Sequence, residues 1–181
     1  LGRVEEASLL GADLAAEGDV LTWFRLLNVT DRSAELIDYL ESRWDDLEGF
    51  ETDFPPDGFF GHEVMIEIAL AYRRAGNQER FGDAMARVRS AHDSLLDQGL
   101  SHPDFWVSEA SYHALAGDFP KTLELLAAAI DGGYISSPRI TDDLPVFSDL
   151  EGDPEYEAIQ ARMVEHLEAE RAALGLDPAT A

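Results

Sequence analysis

Cysteine is absent from the 181 residues. That excludes disulfides, thiolate metal sites and cysteine nucleophiles. It leaves the compartment open, because a disulfide-free domain suits an exported setting as well as a cytosolic one. Lysine is almost absent: Lys121 stands beside twelve arginines, and these 13 cations face 37 acids for a net charge of −24. Phosphate backbones are bound by Lys and Arg displacing counterions, and anionic bilayer surfaces attract the same residues. Nucleic acid and direct membrane contact are therefore not expected of this segment. No apolar run approaches the roughly 20 residues that span a bilayer. The opening Leu1-Gly2-Arg3-Val4-Glu5-Glu6 has neither an initiator methionine nor a signal-peptide pattern, which predicts a piece of a longer polypeptide. Two origins of the acidity stay open: a hydrated surface suited to high salt, or a genome rich in arginine codons. Disorder is not implied, with 45% of residues hydrophobic.

Alternating strand patterns are also hard to find, and almost every segment reads at helical period. The spacing predicts a helix over about Val4 to Glu17, a break at Gly18-Asp19, then the apolar stretch VLTWFRLL and an interruption at Asn28-Val29-Thr30-Asp31. Leu36, Ile37, Leu40 and Trp44 predict a helix over Ser33 to Leu47. The segment 49–61, with two prolines and a set of aromatics, reads as an anchored loop. A strongly apolar helix follows from Glu63 to Arg74. Gly76-Asn77 ends it, and a long amphipathic helix carries Phe81, Met85, Val88, His92, Leu95 and Leu96.

The stretch ALAGDFPKTLELL, from Ala114 to Leu126, explains the punctuation. Gly117 can adopt the left-handed conformation that terminates a helix. Asp118 can cap the next one, and Pro120 in its first turn sacrifices no hydrogen bond. Two apolar helices joined by so short a break must fold back as an antiparallel hairpin. Gly18-Asp19 and Gly76-Asn77 repeat the punctuation, which is the pattern of a helical repeat array. The predicted fold is all-α, one domain over 1–181.

These residues resemble the tetratricopeptide repeats. With Gly117 on the family's turn, Trp106 takes the early aromatic position, Ala110 the small one, and Leu126 and Ala129 two positions of the second helix. Glu109, His113 and Thr122 depart from the pattern. With Gly76 on the turn, Ile68, Ala69 and Tyr72 match, while Phe81 is bulky where a small residue is usual. Gly18 aligns Leu10 and Gly11. The turn glycines lie roughly 58 and 41 residues apart, against about 34 in the family, so the array is irregular. The tail, with Asp143-Leu144-Pro145-Val146-Phe147 and Asp153-Pro154-Glu155-Tyr156, is similar to the end of repeat arrays attached to bacterial signalling proteins. It predicts a loop over 133–153 and a capping helix over 154–173, with Ile159, Met163, Leu167 and Leu174 as its apolar stripe. The resemblance implies a short right-handed superhelix that binds a peptide or protein partner, or organises self-association, on the concave face built from first helices. Carried onto this chain, that face holds Glu63, Ile66, Leu70, Arg73 and Arg74 in one repeat and Asp104, Val107 and Ser111 in the next. Adjacent Arg73 and Arg74 can clamp a carboxylate, although a helix C-terminus that favours cations accounts for two arginines before Gly76 better.

Catalytic and metal patterns are missing. His62-Glu63 opens like a zinc-protease helix, but residue 66 is Ile, so the second ligand is lacking. The acids of DDLPVFSDLEGDPEYE do not follow the calcium-loop spacing. No phosphate loop, dinucleotide fingerprint or nucleophile elbow occurs. The expected protein is non-catalytic, with no cofactor and no metal. A small-molecule sensor with a pocket near residues 54–60 is the alternative, and an enzyme on a helical scaffold a third reading.

Overall fold

The computed structural model describes residues 20–54, 61–134, 140 and 144–176. Among them the chain is entirely helical, with eight α-helices, one 3-10 helix and no strand. The helix expected over Val4 to Glu17, the Gly18-Asp19 break and residues 55–60 of the expected loop lie outside the described residues. Two compact units divide at Gln98 and Gly99. Gly99 there takes a φ of 80°, ending one helix before Pro103 starts the next.

The first unit contains α1 (Val20–Val29), α2 (Ser33–Glu41), α3 (Leu47–Asp53), α4 (Gly61–Arg74) and α5 (Gln78–Asp97). Helix α4 is its centre and packs against α5, α1 and α2. Every residue from Val64 to Tyr72 is buried, so α4 shows apolar side chains all round rather than on one stripe, as a helix enclosed by neighbours does. The helix expected over Ser33 to Leu47 stops at Glu41, and part of the expected 49–61 loop is α3 instead. The reason is local. Asp46 adopts extended backbone and accepts the amide of Gly49 at 2.8 Å, a side-chain cap that starts a new helix. That turn drives Leu47 and Phe50 into the core, where each is nearly inaccessible.

Helices α4 and α5 meet at Gly76, whose φ is 72°. The amide of Gly76 bonds to the carbonyl of Arg73 and that of Asn77 to Tyr72, and Asn77 then caps α5 by accepting the amide of Arg80 at 3.2 Å.

The second unit repeats this chain reversal between α6 (Pro103–Ala116) and α7 (Phe119–Asp131). Gly117 has a φ of 77°, its amide bonds to Ala114, that of Asp118 bonds to His113, and Asp118 accepts from Lys121 at 3.3 Å. In both hairpins the glycine adopts a conformation that costs an L side chain about 1 kcal/mol or more, and the residue after it caps the next helix. A 3-10 helix over Pro145–Leu150 packs on α6, and α8 (Pro154–Ala173) packs on α7. Asp153 caps α8 by accepting the amides of Glu155 and Tyr156. Ile159 and Met163 are buried; Leu167 is half-buried, and Leu174 stands just past the helix at 73% exposure and takes no part in the stripe expected of it. The second core gathers Phe105, Leu126, Ile130, Phe147 and Tyr156.

Candidate functional site

In each of two apolar stretches of the first unit one charge stands alone: Arg25 in VLTWFRLL and Glu67 in VMIEIALA. The fold joins them. Arg25 Nε donates to Glu67 Oε1 and Nη2 to Glu63 Oε2, both at 3.2 Å. Asn28 Nδ2 donates to Glu67 Oε2 at 2.7 Å and to the Glu67 carbonyl at 2.9 Å, while its Oδ1 accepts from the Ser33 hydroxyl. Arg74 Nη1 closes the set on the Asn28 carbonyl at 2.7 Å. Glu67 is 2% exposed. Burial pushes its carboxyl above the usual range, against the pull of Arg25, Asn28 and Arg74. Burial works against the charge of Arg25 too, but Glu67 and then Glu63 hold its pKa above normal. A buried carboxylate costs several kcal/mol unless donors surround it. Here Arg25 and Asn28 of α1 supply them, with Ser33 of α2 orienting Asn28 and Arg74 of α4 adding its charge nearby. The network holds the register of three helices.

In the first turn of α4, beside Glu63 in sequence, His62 is buried with His92 of α5, their ring centroids 5.3 Å apart at 70°. Burial pushes His62 down to about 4, so the imidazole is neutral at physiological pH.

A third feature is open to solvent. Tyr39, Arg43, Trp44, Asp53 and Phe54 line a surface groove. The turn between α2 and α3 brings Trp44 edge-on to Phe50 at 5.1 Å and near Phe54 at 6.1 Å. Its indole Nε1 donates to Asp53 Oδ2 at 2.8 Å. The Arg43 guanidinium stands 3.8 Å from the centroid of the Tyr39 ring.

The eight residues expected on a concave face are distributed unevenly. Ile66 and Leu70 are 5% and 4% exposed, and Val107 and Ser111 4% and 3%; these four belong to the cores of their units, with the Ser111 hydroxyl turned back to the Val107 carbonyl. Glu63 is half-buried on Arg25, and Arg74 is committed to the Asn28 carbonyl. Arg73 is half-buried, and Asp104 is exposed beside His102. Glu63 and Arg74 thus share one network, with Arg25, Asn28 and Glu67 between them. Arg25 and Glu67 are lone charges in apolar runs, a signal of a buried partner, whereas Asn28 reads in the sequence only as part of an interruption. Arg74 donates to the carbonyl of Asn28, near the end of α1. Among the described residues no group of three His, Asp or Glu side chains is placed to hold a metal ion, and no helix is long and apolar enough to cross a membrane.

No protein-family model matches the chain, and no solved structure does. The arginine–tRNA ligase of Carboxydothermus hydrogenoformans is 28% identical over 108 residues, 53% of this chain. The chain spans 18% of that enzyme's length.

Proposed function

We propose that the chain is a non-catalytic protein-interaction module of a larger signalling polypeptide, built as a short tetratricopeptide-like superhelix closed by α8. One observation carries the reading: the α4–α5 and α6–α7 hairpins use the same reversal, glycine with positive φ followed by an Asn or Asp cap, within otherwise different sequences. Repeats of this kind present rigid helical surfaces and work by binding. The family positions within α6 and α7 support it as well. Ala110, Leu126 and Ala129 are fully buried, and a side chain on Gly132 would meet Trp106 at 2.8 Å, so the aromatic packs directly on the end of the second helix. The likeness to arginine–tRNA ligase adds no step, because 13 cations against 37 acids suit tRNA phosphates poorly.

The groove beside Phe54 favours a second reading, a small-molecule sensor. Affinity capture from the cells that make this protein separates the two, with the intact chain as bait beside its Arg73→Ala variant. A protein retained in stoichiometric amount supports the module; weaker retention by the variant puts the surface near Arg73. Capture of nothing, together with a small ligand that raises the melting temperature of the chain increasingly, with the logarithmic dependence on concentration of a single site, overturns the module in favour of the sensor.

A further inference from the structure

Resting on that reading, we propose that the groove of Tyr39, Arg43, Trp44, Asp53 and Phe54 receives an arginine or lysine side chain from a basic segment of the partner.

Three observations point to a cation. First, aromatic rings and one carboxylate share the groove, and ring faces attract guanidinium and ammonium groups at this range, most strongly for Trp. Second, the protein already makes such a contact there: the Arg43 guanidinium lies over Tyr39 at 3.8 Å, within the roughly 6 Å reach of a cation–π interaction. Third, the surrounding charge is negative. Between residues 38 and 53 the chain carries Asp38, Glu41, Asp45, Asp46, Glu48, Glu51 and Asp53 against Arg43 alone. All but Glu51 are exposed. The nearby Arg80 is spent on the Asp45 carbonyl and Arg87 on Glu51 and Asp83, so they offset this surplus only in part.

Asp53 gives the groove direction. Its Oδ2 is held by the Trp44 indole, which orients the carboxylate beside the ring that would stack on the incoming side chain. A guanidinium satisfies both at once, through its face on the indole and its N–H groups on the acid. The occupant is an extended basic peptide of another protein. A second copy of this chain is a poor candidate, since two surfaces of net charge −24 repel. An anionic ligand meets the same barrier. Arg43 occupies part of the site in the free protein, so it competes with the incoming cation for Tyr39.

The test uses the intact chain and a fluorescein-labelled peptide of alternating arginine and glycine, with a glutamate–glycine peptide as the control, read by anisotropy at low and physiological salt. The expected result is saturable binding of the arginine peptide only, several-fold weaker with Asp53→Asn, which keeps shape and changes charge, and with Trp44→Leu. Thermal unfolding of each variant separates lost binding from lost folding, and Asp53→Asn carries the result if Trp44→Leu unfolds. Arg43→Ala is expected to bind several-fold more tightly, and Arg89→Ala, the same change of charge on α5, to leave affinity unaltered. Equal affinity across all variants, or equal tightening by Arg43→Ala and Arg89→Ala, overturns the groove in favour of diffuse charge attraction. A cellular protein captured equally by the wild type and Asp53→Asn also overturns it while the module reading stands. Groove-dependent peptide binding with no cellular protein captured upholds the cation site and counts against the module.

Discussion

Lowering the pH puts a proton on the unfolded chain before it puts one on His62. In the folded protein burial holds this imidazole at about 4, whereas an exposed histidine titrates near 6.5. Between those values the unfolded state binds more protons, so stability is highest above 6.5 and is lost as pH falls toward 4. The gap of about two and a half pKa units, at about 1.36 kcal/mol each, sets an upper limit of about 3 kcal/mol. Between about pH 7.5 and about pH 5 the loss is about 2 kcal/mol, because the folded imidazole has scarcely begun to titrate there. Other groups move over the same range. Glu67, raised by burial, works in the opposite direction, and partial neutralisation of a chain at −24 relieves repulsion. The measurement is therefore a difference. Urea unfolding of the wild type and His62→Gln is followed across this pH range by far-UV circular dichroism, and the variant is expected to lose about 2 kcal/mol less than the wild type. Curves that run parallel, with the two proteins separated by a constant amount at every pH, would falsify the assignment of a buried neutral imidazole at this position.

Three further outcomes follow from the packing. Asn28→Leu removes the amide donor to Glu67 and is expected to cost about 3 kcal/mol near neutral pH, as a buried charge losing a partner does; because burial already raises the Glu67 carboxyl, the deficit should shrink as pH falls and Glu67 takes up a proton, which pH-dependent denaturation reads directly. Gly132→Ala places a methyl against the Trp106 ring at 2.8 Å and Pro103 at 3.0 Å and is expected to destabilise by about 1–3 kcal/mol. In a double-mutant cycle with Trp106→Leu most of that cost should vanish; an additive result refutes the steric account. Raising sodium chloride from low to physiological concentration is expected to raise the melting temperature, since screening relieves the self-repulsion of the acidic surface; a fall would show that the local ion pairs outweigh it.

The helical hairpins were readable because their signals are local. A glycine, a capping side chain and a proline act within a few residues, so Asp118 with Pro120 and Asp153 with Pro154 mark helix starts without knowledge of the rest of the chain. The stretch from Ser33 to Asp53 was harder for the opposite reason. Leu36, Leu40 and Trp44 keep helical spacing, yet Trp44 packs against Phe50 and Phe54, a contact that requires the chain to turn after Glu41. Spacing reports that a residue is apolar at the right interval; it does not report which neighbour covers it. The same limit applies to the polar network. That Arg25 and Glu67 each sit among apolar residues announces burial, but their pairing across 42 positions depends on how α1 lies on α4. Asn28 sits where the pattern appeared merely to break, and in the fold it is the residue through which Glu67, Ser33 and Arg74 are joined.

The distribution of arginine links the buried network to the aromatic groove. Arg25, Arg32, Arg87, Arg89 and Arg162 bond to carboxylates of the chain, Arg74 and Arg80 to backbone carbonyls, and Arg43 to a ring. A guanidinium can bridge several acceptors with a rigid fork, which a lysine ammonium cannot, so a chain with few cations gains most cross-linking from each by using arginine. Lys121 fits this pattern: among the described residues it pairs with Glu124, one turn away and on the same helix. Because so many of these cations are engaged internally, few are left to neutralise the acidic exterior. A partner that approaches this surface must then bring its own positive charge, and the aromatic groove beside Asp53 is where such a charge finds both a ring face and a carboxylate.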